Sequence, residues 1–304
     1  MMNEDLKKQL RNRGICVIIP TYNNDTTIKT VVEKSLLYCD DVIVVTDGCT
    51  DRTTDILDAI DGITIVSYPQ NRGKGYALKM GLRKALEMGF SYAITLDGDG
   101  QHYPEDIPLF LKANQEYPQS LIIGSRQLEG VDRSKGSSFA NKFSNFWFYV
   151  QTGRALPDTQ TGYRLYPLHR LCGLSLLTSR YEAELELLVF ASWHGVKLVP
   201  IPVQVYYPPR NERVSHFRPG KDFARISVLN TVLCFLAVVY GLPLRLWRTL
   251  ITFLRTAYSL LFFLFFTLVV FTPFVWIYTK FGKMTERRRY RLHQLIYHAS
   301  RFVM

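Results

Sequence analysis

The sequence predicts an α/β protein, a mostly parallel sheet sandwiched by helices, followed by a C-terminal transmembrane helical hairpin. Three observations predict it. Short apolar runs alternate with helix-patterned stretches over residues 15–124, and polar or glycine residues follow each run. Two long charge-free windows then lie close to the C-terminus.

Ile15–Pro20 (ICVIIP) has the length and composition of a buried strand, and residues 26–38 have helical spacing. Asp41–Thr46 is a second strand, followed by a helix opening near Asp51, a residue suited to capping. Ile63–Tyr68 is a third strand, and Lys74–Met88 a helix with apolar residues near i, i+3 and i+4. Tyr92–Leu96 is a fourth strand, Pro104–Tyr117 a helix with proline at its start, and Leu121–Gly124 a fifth strand. Residues 130–180 are less regular; Tyr181–Gly195 reads as a helix, Lys197–Tyr207 as extended chain and 208–222 as a basic loop. Strand–helix alternation of this kind gives a Rossmann-like sheet covered on both faces, with ligands at the carboxyl ends of its strands. The unusual residues fall there: Thr21-Tyr22-Asn23, Asp47-Gly48, Asn71-Arg72-Gly73-Lys74, Asp97-Gly98-Asp99-Gly100 and Ser125-Arg126. They predict one shared cleft.

Charge is distributed unevenly. Up to Arg225 there are 27 Lys+Arg against 25 Asp+Glu, and from 226 onward 10 against the single Glu286. A nucleic-acid binder spreads basic residues over its folded domain; here the excess flanks apolar runs, a pattern suited to anionic headgroups. No charge lies in the 19 residues between Arg225 and Arg245 or in the 24 between Arg255 and Lys280. Each is near the roughly 20 residues that span a bilayer. The connector RLWRTLITFLR puts Arg245, Arg248 and Arg255 on one helical face and Leu246, Trp247, Leu250, Phe253 and Leu254 on the other, as an interfacial helix does. If both windows span, both termini are cytosolic, and the basic C-terminal flank agrees. The opening residues MMNEDLKKQLRNRG lack the apolar core of a signal peptide. Five cysteines show no paired or metal-type spacing, which fits a reducing compartment.

Asp97-Gly98-Asp99 carries the chemistry. Two carboxylates one residue apart at the end of an apolar strand need a partner for their charge, and a hard divalent cation with oxygen ligands is the natural one. Such an ion could bridge to a diphosphate and neutralise charge developing on it. Asp47 could accept hydrogen bonds from a base or ribose, while Asp51 needs no more than a capping role. Asn71-Arg72-Gly73-Lys74-Gly75 opens a helix whose free N–H groups and lysine suit phosphate, although P-loop spacing is absent. Glu182, Glu184 and Glu186 read as favourable charges at a helix N-terminus.

In PTYNN, VVTDGCTDRT, NRGKGYALKMGL and TLDGDGQHYPEDIP the chain resembles family-2 glycosyltransferases of GT-A fold, most of all the polyprenyl-phosphate (dolichyl-phosphate) sugar synthases. GSR at 124–126, DTQTGYRLY from Asp158, YEAELELL from Tyr181 and RVSHFRPGKDF from Arg213 continue the resemblance over about residues 14–226. It departs at Asn24, Thr46 and Cys49, where the family often has Glu, Asp and Ser. The resemblance, taken with the charge-free windows and their basic flank, gives a cytosolic catalytic domain over 1–225, a membrane segment over 226–279 (two hydrophobic helices joined by the Arg-bearing connector) and a basic cytosolic tail over 280–304. It implies Pro20, Tyr22, Asp47, Gly73, Lys74 and Asp97 at a UDP- or GDP-sugar donor. Asp97, Asp99 and Gln101 would surround Mg²⁺ or Mn²⁺. Gln101, Gln160, Arg164, Ser215, His216 and Phe217 would face a lipid acceptor, with Asp99, Arg126, Asp158 and Arg213 in catalytic roles. The implied reaction is inverting transfer to polyprenyl phosphate at the inner or plasma membrane. Two alternatives stay open: transfer to a lipid or glycan hydroxyl with Asp158 as base, and a non-catalytic membrane scaffold. No nucleic-acid partner is expected, and self-association is left open.

Overall fold

The computed structural model describes residues 2–126, 135–174, 176–206 and 219–281, with scattered positions between 287 and 298. Two compact units divide at residues 243 and 244. The first holds seven strands: β1 (Ile15–Thr21), β2 (Val42–Asp47), β3 (Ile63–Tyr68), β4 (Tyr92–Thr95), β5 (Leu121–Arg126), β6 (Arg164–Pro167) and β7 (Leu198–Val203). They form one sheet in the order β3-β2-β1-β4-β6-β5-β7. Its helices are α1 (Met2–Asn12), α2 (Ile28–Leu36), α3 (Thr53–Asp58), α4 (Lys74–Glu87), α5 (Ile107–Glu116), α6 (Lys135–Thr152), α7 (Leu168–Leu171), α8 (Glu182–Trp193) and α9 (Pro219–Leu236).

The five strands predicted from apolar runs are present to within a residue or two. Central strands β1 and β2 are buried along their whole length, as continuous apolar runs must be when both sheet faces are covered. Edge strand β3 carries Thr64 and Ser67 and is only half-buried. On one face Ile15, Ile19, Val44, Ile94, Ile122 and Leu165 pack with Ile28, Val32, Ile107 and Phe110. Parallel register aligns strand ends: Thr21 pairs with Thr46, and Asp47 with Tyr68. The loops that follow therefore start from one edge.

Two elements depart from the sequence expectation. Strand β6 runs antiparallel to both β4 and β5, within a sheet whose other pairs are parallel. It is four residues long, opens on a charge and closes on proline, so no apolar run marks it. Helix α6 occupies 135–152, inside the stretch expected to be irregular. Its buried positions are Asn141, Ser144, Phe148, Gln151 and Thr152. Their spacing is helical, but four of the five are polar and hold the fold through hydrogen bonds, so hydrophobic periodicity misses them.

The expected hairpin is not shown. Ala224–Trp276 is a single helical run of 53 residues, long and apolar enough to cross a membrane. It comprises α9 from Ala224 onward, a π segment at 237–241, α10 (Leu242–Phe265), a second π segment at 266–271 and the start of α11 (Thr272–Phe281). The connector between the charge-free windows has no turn-forming residue and continues as α10. The first π segment ends at Gly241, just before Pro243, whose missing N–H a regular helix tolerates poorly. Within the first unit, α9 packs against α6 and α8. It buries Leu229, Asn230 and Leu233 and leaves Val228, Val232 and Phe235 exposed. Gln151 Nε2 donates to Asn230 Oδ1 at 3.0 Å, and Trp193 Nε1 to the Gln151 carbonyl at 2.9 Å. The first charge-free window thus begins as a helix docked on the sheet unit. In the second unit the α10 side chains Leu246, Trp247, Phe253, Tyr258 and Leu261 are exposed.

Candidate active site at the carboxyl ends of the strands

The acidic turn follows β4. Gly98 lies so close to β1 that a Cβ there would sit 2.8 Å from Thr21 Oγ1. Thr27 Oγ1 donates to the Gly98 carbonyl at 2.7 Å, which fixes the turn between the two aspartates. Asp99 Oδ1 accepts from Gln101 N–H at 3.0 Å, and the Gln101 carbonyl accepts from Tyr206 N–H at 2.8 Å. Asp97 is paired with Lys74 at 2.8 Å, and Lys74 also reaches Glu184 at 3.1 Å.

Burial would raise the Asp97 carboxyl, but the Lys74 ammonium, with smaller contributions from His102 and Arg126, holds Asp97 below the usual carboxylate range. Asp99 has burial and the neighbouring Asp97 charge against it and is pushed up to about 6. One ammonium therefore serves a pocket with more negative charge than it neutralises. Among the described residues no three His, Cys, Asp or Glu side chains form a closed metal cage. Asp97 and Asp99, with the Gln101 backbone beside them, would make an incomplete, oxygen-based donor set. That fits a magnesium-type ion, which is held by one or two carboxylates and completed by substrate phosphates and water.

At the end of β1, Pro20 is buried and Tyr22, just beyond the strand, is half-buried. Asp47 is buried, accepting from Arg72 N–H at 2.7 Å and Gly73 N–H at 2.8 Å. The expected base-recognising carboxylate thus closes the loop before α4. Asp51 accepts from Thr53 N–H at 3.0 Å, the expected capping role. The start of α4 is not an open phosphate cradle: Tyr76 N–H donates to the Ser179 carbonyl at 2.8 Å and Lys74 is ion-paired.

Beyond β5, Arg126 grips Asp158 through Nε to Oδ2 at 2.6 Å and Nη2 to Oδ1 at 3.0 Å. Asn141 Nδ2 and Gln160 N–H also donate to Asp158 Oδ1, at 2.9 and 3.1 Å. Burial would raise this carboxyl, but Arg126 and the N–H donors hold it below its ordinary range. Gln160 is exposed, with Nε2 donating to the Ala140 carbonyl at 3.2 Å. Arg164, expected to face the acceptor, is fully buried at the head of β6; its Nη1 and Nη2 donate to the Glu184 and Thr159 carbonyls, each at 2.9 Å. Arg213, Ser215, His216 and Phe217 lie outside the described residues.

Three residues here have no place in the site from sequence reasoning. Asn141 supports Asp158 from α6, and Glu184 pairs with Lys74 from α8. A Cβ on Gly162 would lie 2.8 Å from Lys74 Nζ and 2.9 Å from both Asp97 carboxylate oxygens. Glu182 and Glu184 are each 7% exposed and Glu186 is fully buried, so the three acids are not solvent-facing helix-end charges. Glu186 accepts from Thr178 N–H at 2.9 Å, anchoring the strap before α8. In this family of signals only spacing could have hinted at them: three glutamates at alternate positions cannot share one helix face.

His102 is buried and stacks on Tyr163 with ring centroids 5.2 Å apart. Neither ring nitrogen has a hydrogen-bond partner among the described residues. Burial pulls its pKa down to about 4; Lys74 and Arg126 add to this, and Asp97 and Asp158 oppose it. The unfolded chain protonates near 6.5. As pH falls below about 6.5 the unfolded state gains a proton that the fold refuses, so stability should drop, by about 3 kcal/mol once pH reaches about 4. Thermal melts in chelator from pH 7 to 4 should show a shallower decline in His102→Phe than in the wild type.

Residues 16–166 match the family described as Glycosyl transferase family 2. The chain is 29% identical over 221 residues to the UDP-N-acetylglucosamine–dolichyl-phosphate N-acetylglucosaminyltransferase of Methanococcus voltae, covering 65% of this chain and 88% of that protein. It is 30% identical over 204 residues to the polyprenol monophosphomannose synthase of Mycolicibacterium smegmatis, covering 62% and 75%. Among solved structures it resembles glucosyl-3-phosphoglycerate synthase from Mycobacterium tuberculosis in complex with Mn²⁺, UDP and phosphoglyceric acid. That match has a TM-score of 0.57 at 19% identity, covering 77% of this chain and 82% of that one. The shared fold is GT-A. With an acidic turn at the ligand edge of that sheet and relatives of this identity and coverage, the chain belongs to glycosyl transferase family 2.

Proposed function

We propose that the protein transfers a hexosyl group, with inversion, from a UDP- or GDP-sugar to polyprenyl phosphate in the membrane. The observation that carries the reading is the Asp97–Asp99 pair at the end of β4, under-neutralised by Lys74 alone. Mg²⁺ or Mn²⁺ held by Asp97, Asp99 and Gln101 would supply the positive charge that stabilises a departing nucleoside diphosphate. Pro20 and Tyr22 line the nucleotide side, and Asp47 with Gly73 shapes the loop that borders it. Lys74 adds fixed positive charge. Arg126, oriented by Asp158, presents a guanidinium to an anionic acceptor, alongside Gln160, Arg213, Ser215, His216 and Phe217, while Arg164 holds the backbone behind them. A phosphate monoester with second pKa near 6 is already a nucleophilic oxyanion at neutral pH and needs no base.

The hydroxyl alternative draws less support, because Asp158 accepts hydrogen bonds from Arg126, Asn141 and Gln160 and its pKa is depressed. A general base needs a free lone pair and a pKa nearer neutrality. The names of the dolichyl-phosphate and polyprenol relatives support a polyprenyl acceptor. The exposed apolar helix Ala224–Trp276 supports residence at the plasma or inner membrane.

The test is a panel of UDP- and GDP-hexoses offered with polyprenyl phosphate or with neutral membrane lipids, in Mg²⁺, Mn²⁺ or chelator, with lipid products read by mass. Cation-dependent glycosylation of polyprenyl phosphate is the expected result. Transfer that persists in chelator would remove the role given to Asp97 and Asp99. Products only on hydroxyl lipids would overturn the acceptor, and no transfer from any donor would favour a scaffold.

A further inference from the structure

The first turns of α4 and α8 touch. Gly75 makes this approach possible: a Cβ there would fall 2.3 Å from Ala183 Cβ. The approach brings Glu184 against Lys74 at 3.1 Å, in addition to the Asp97 contact at 2.8 Å. The Glu184 backbone is held in turn by Arg164 Nη1, which donates to its carbonyl at 2.9 Å. Lys74 thus rests between two carboxylates, one in the acidic turn and one outside it. Both Lys74 and Glu184 side chains are largely buried, at 19% and 9% exposed.

A buried ammonium with Asp97 as its only partner would compete with any cation for that carboxylate, since releasing Asp97 would leave it unpaired. With a second counter-ion in contact, Lys74 can surrender Asp97 and stay charged in place. We propose that Glu184 is a positioning residue: it retains the Lys74 ammonium at the site and thereby frees Asp97 for a divalent cation. The proposal rests on the cation reading of Asp97 and Asp99 given above. It assigns to α8, which contributes nothing to the acidic turn, control over how readily that turn accepts a cation.

The readout is Mn²⁺ binding to the full-length protein in lipid nanodiscs without donor, followed by the electron paramagnetic resonance signal of free Mn²⁺. Glu184→Gln should weaken binding by ~10-fold, the scale of one charge-assisted hydrogen bond. Lys74→Met, which removes the competitor, should bind Mn²⁺ at least as tightly as the wild type. In the Lys74→Met background Glu184→Gln should change binding by less than ~2-fold, because the effect travels through the ammonium. Glu184→Asp, which keeps the charge but shortens the reach, should fall between wild type and Glu184→Gln and serves if the latter does not fold. Equal weakening by Glu184→Gln in both backgrounds would mean direct attraction of the cation and would overturn the proposal alone. So would unchanged binding in Glu184→Gln. Binding that ignores Asp97→Asn, or no binding to the wild type, would overturn the cation reading and this proposal together.

Discussion

Asp99→Asn should reduce sugar transfer by ~100–1000-fold while leaving the metal-free protein more stable than the wild type. The rate loss is the scale seen when one preorganised group facing developing charge is removed. The gain in stability follows from burial and the Asp97 charge, which push the Asp99 carboxyl up to about 6. At pH 7 the fold holds that carboxylate ionised against both effects, at a cost of about 1–3 kcal/mol relative to the unfolded chain. Asn removes the charge and the cost. Because the folded pKa is raised above its unfolded value, the wild type should gain on the variant as pH drops from about 6 toward 4, where protonation relieves the clash. Asp97→Asn should lose the same order of activity without the stability gain, because Lys74 then loses one of its two partners. Single-turnover transfer and thermal melts in chelator measure the two halves separately. An Asp99→Asn protein that turns over normally would remove the acidic turn from the chemistry.

Asp158→Asn should weaken fold and turnover together. Its carboxylate is 1% exposed and takes two hydrogen bonds from the Arg126 guanidinium. Removing one member of a buried pair leaves the other uncompensated, a loss of about 3 kcal/mol where, as here, Arg126 keeps some access to water. Arg126→Lys should retain charge but lose the two-pronged grip that fixes its direction, so kcat/KM for a phosphate acceptor should fall even where the fold survives. The pH dependence has the opposite sense to that of Asp99. The folded Asp158 pKa is depressed, so its contribution is complete above the unfolded value near 3.9 and is lost as pH falls below it toward the folded pKa. Denaturant midpoints and kcat/KM, measured side by side, check this. A variant with wild-type stability and a collapsed rate would instead mark Asp158 as a base and revive the hydroxyl acceptor.

Much of the donor half was legible because its signals are local. Strands β1 to β5 are short, mainly apolar runs, and the residues after them fall on one edge because parallel strands share a direction. The acidic turn was legible because charge at the end of an apolar run demands a partner. What escaped depends on contacts distant in sequence. Asp47 looks like a ligand-facing carboxylate until Arg72 and Gly73 bring their N–H groups to it. Arg164 looks like an anion binder until its guanidinium is found on two carbonyls. Helix α6 hides because its inward face is Asn, Ser, Gln and Thr. Glu184 hides because its partner lies 110 residues earlier, in α4.

Reversal of β6 has a wider consequence. The chain leaves the sheet after Arg126 and rejoins it at Arg164, and Ile123 and Arg164 are themselves paired across β5 and β6. The two ends of this excursion are already neighbours, so lengthening or replacing what lies between them costs little closure entropy. Growth at the excursion's outer stretch would leave the acidic turn in place, whereas Asn141, Asp158 and Gly162 moor the remainder to the strand ends.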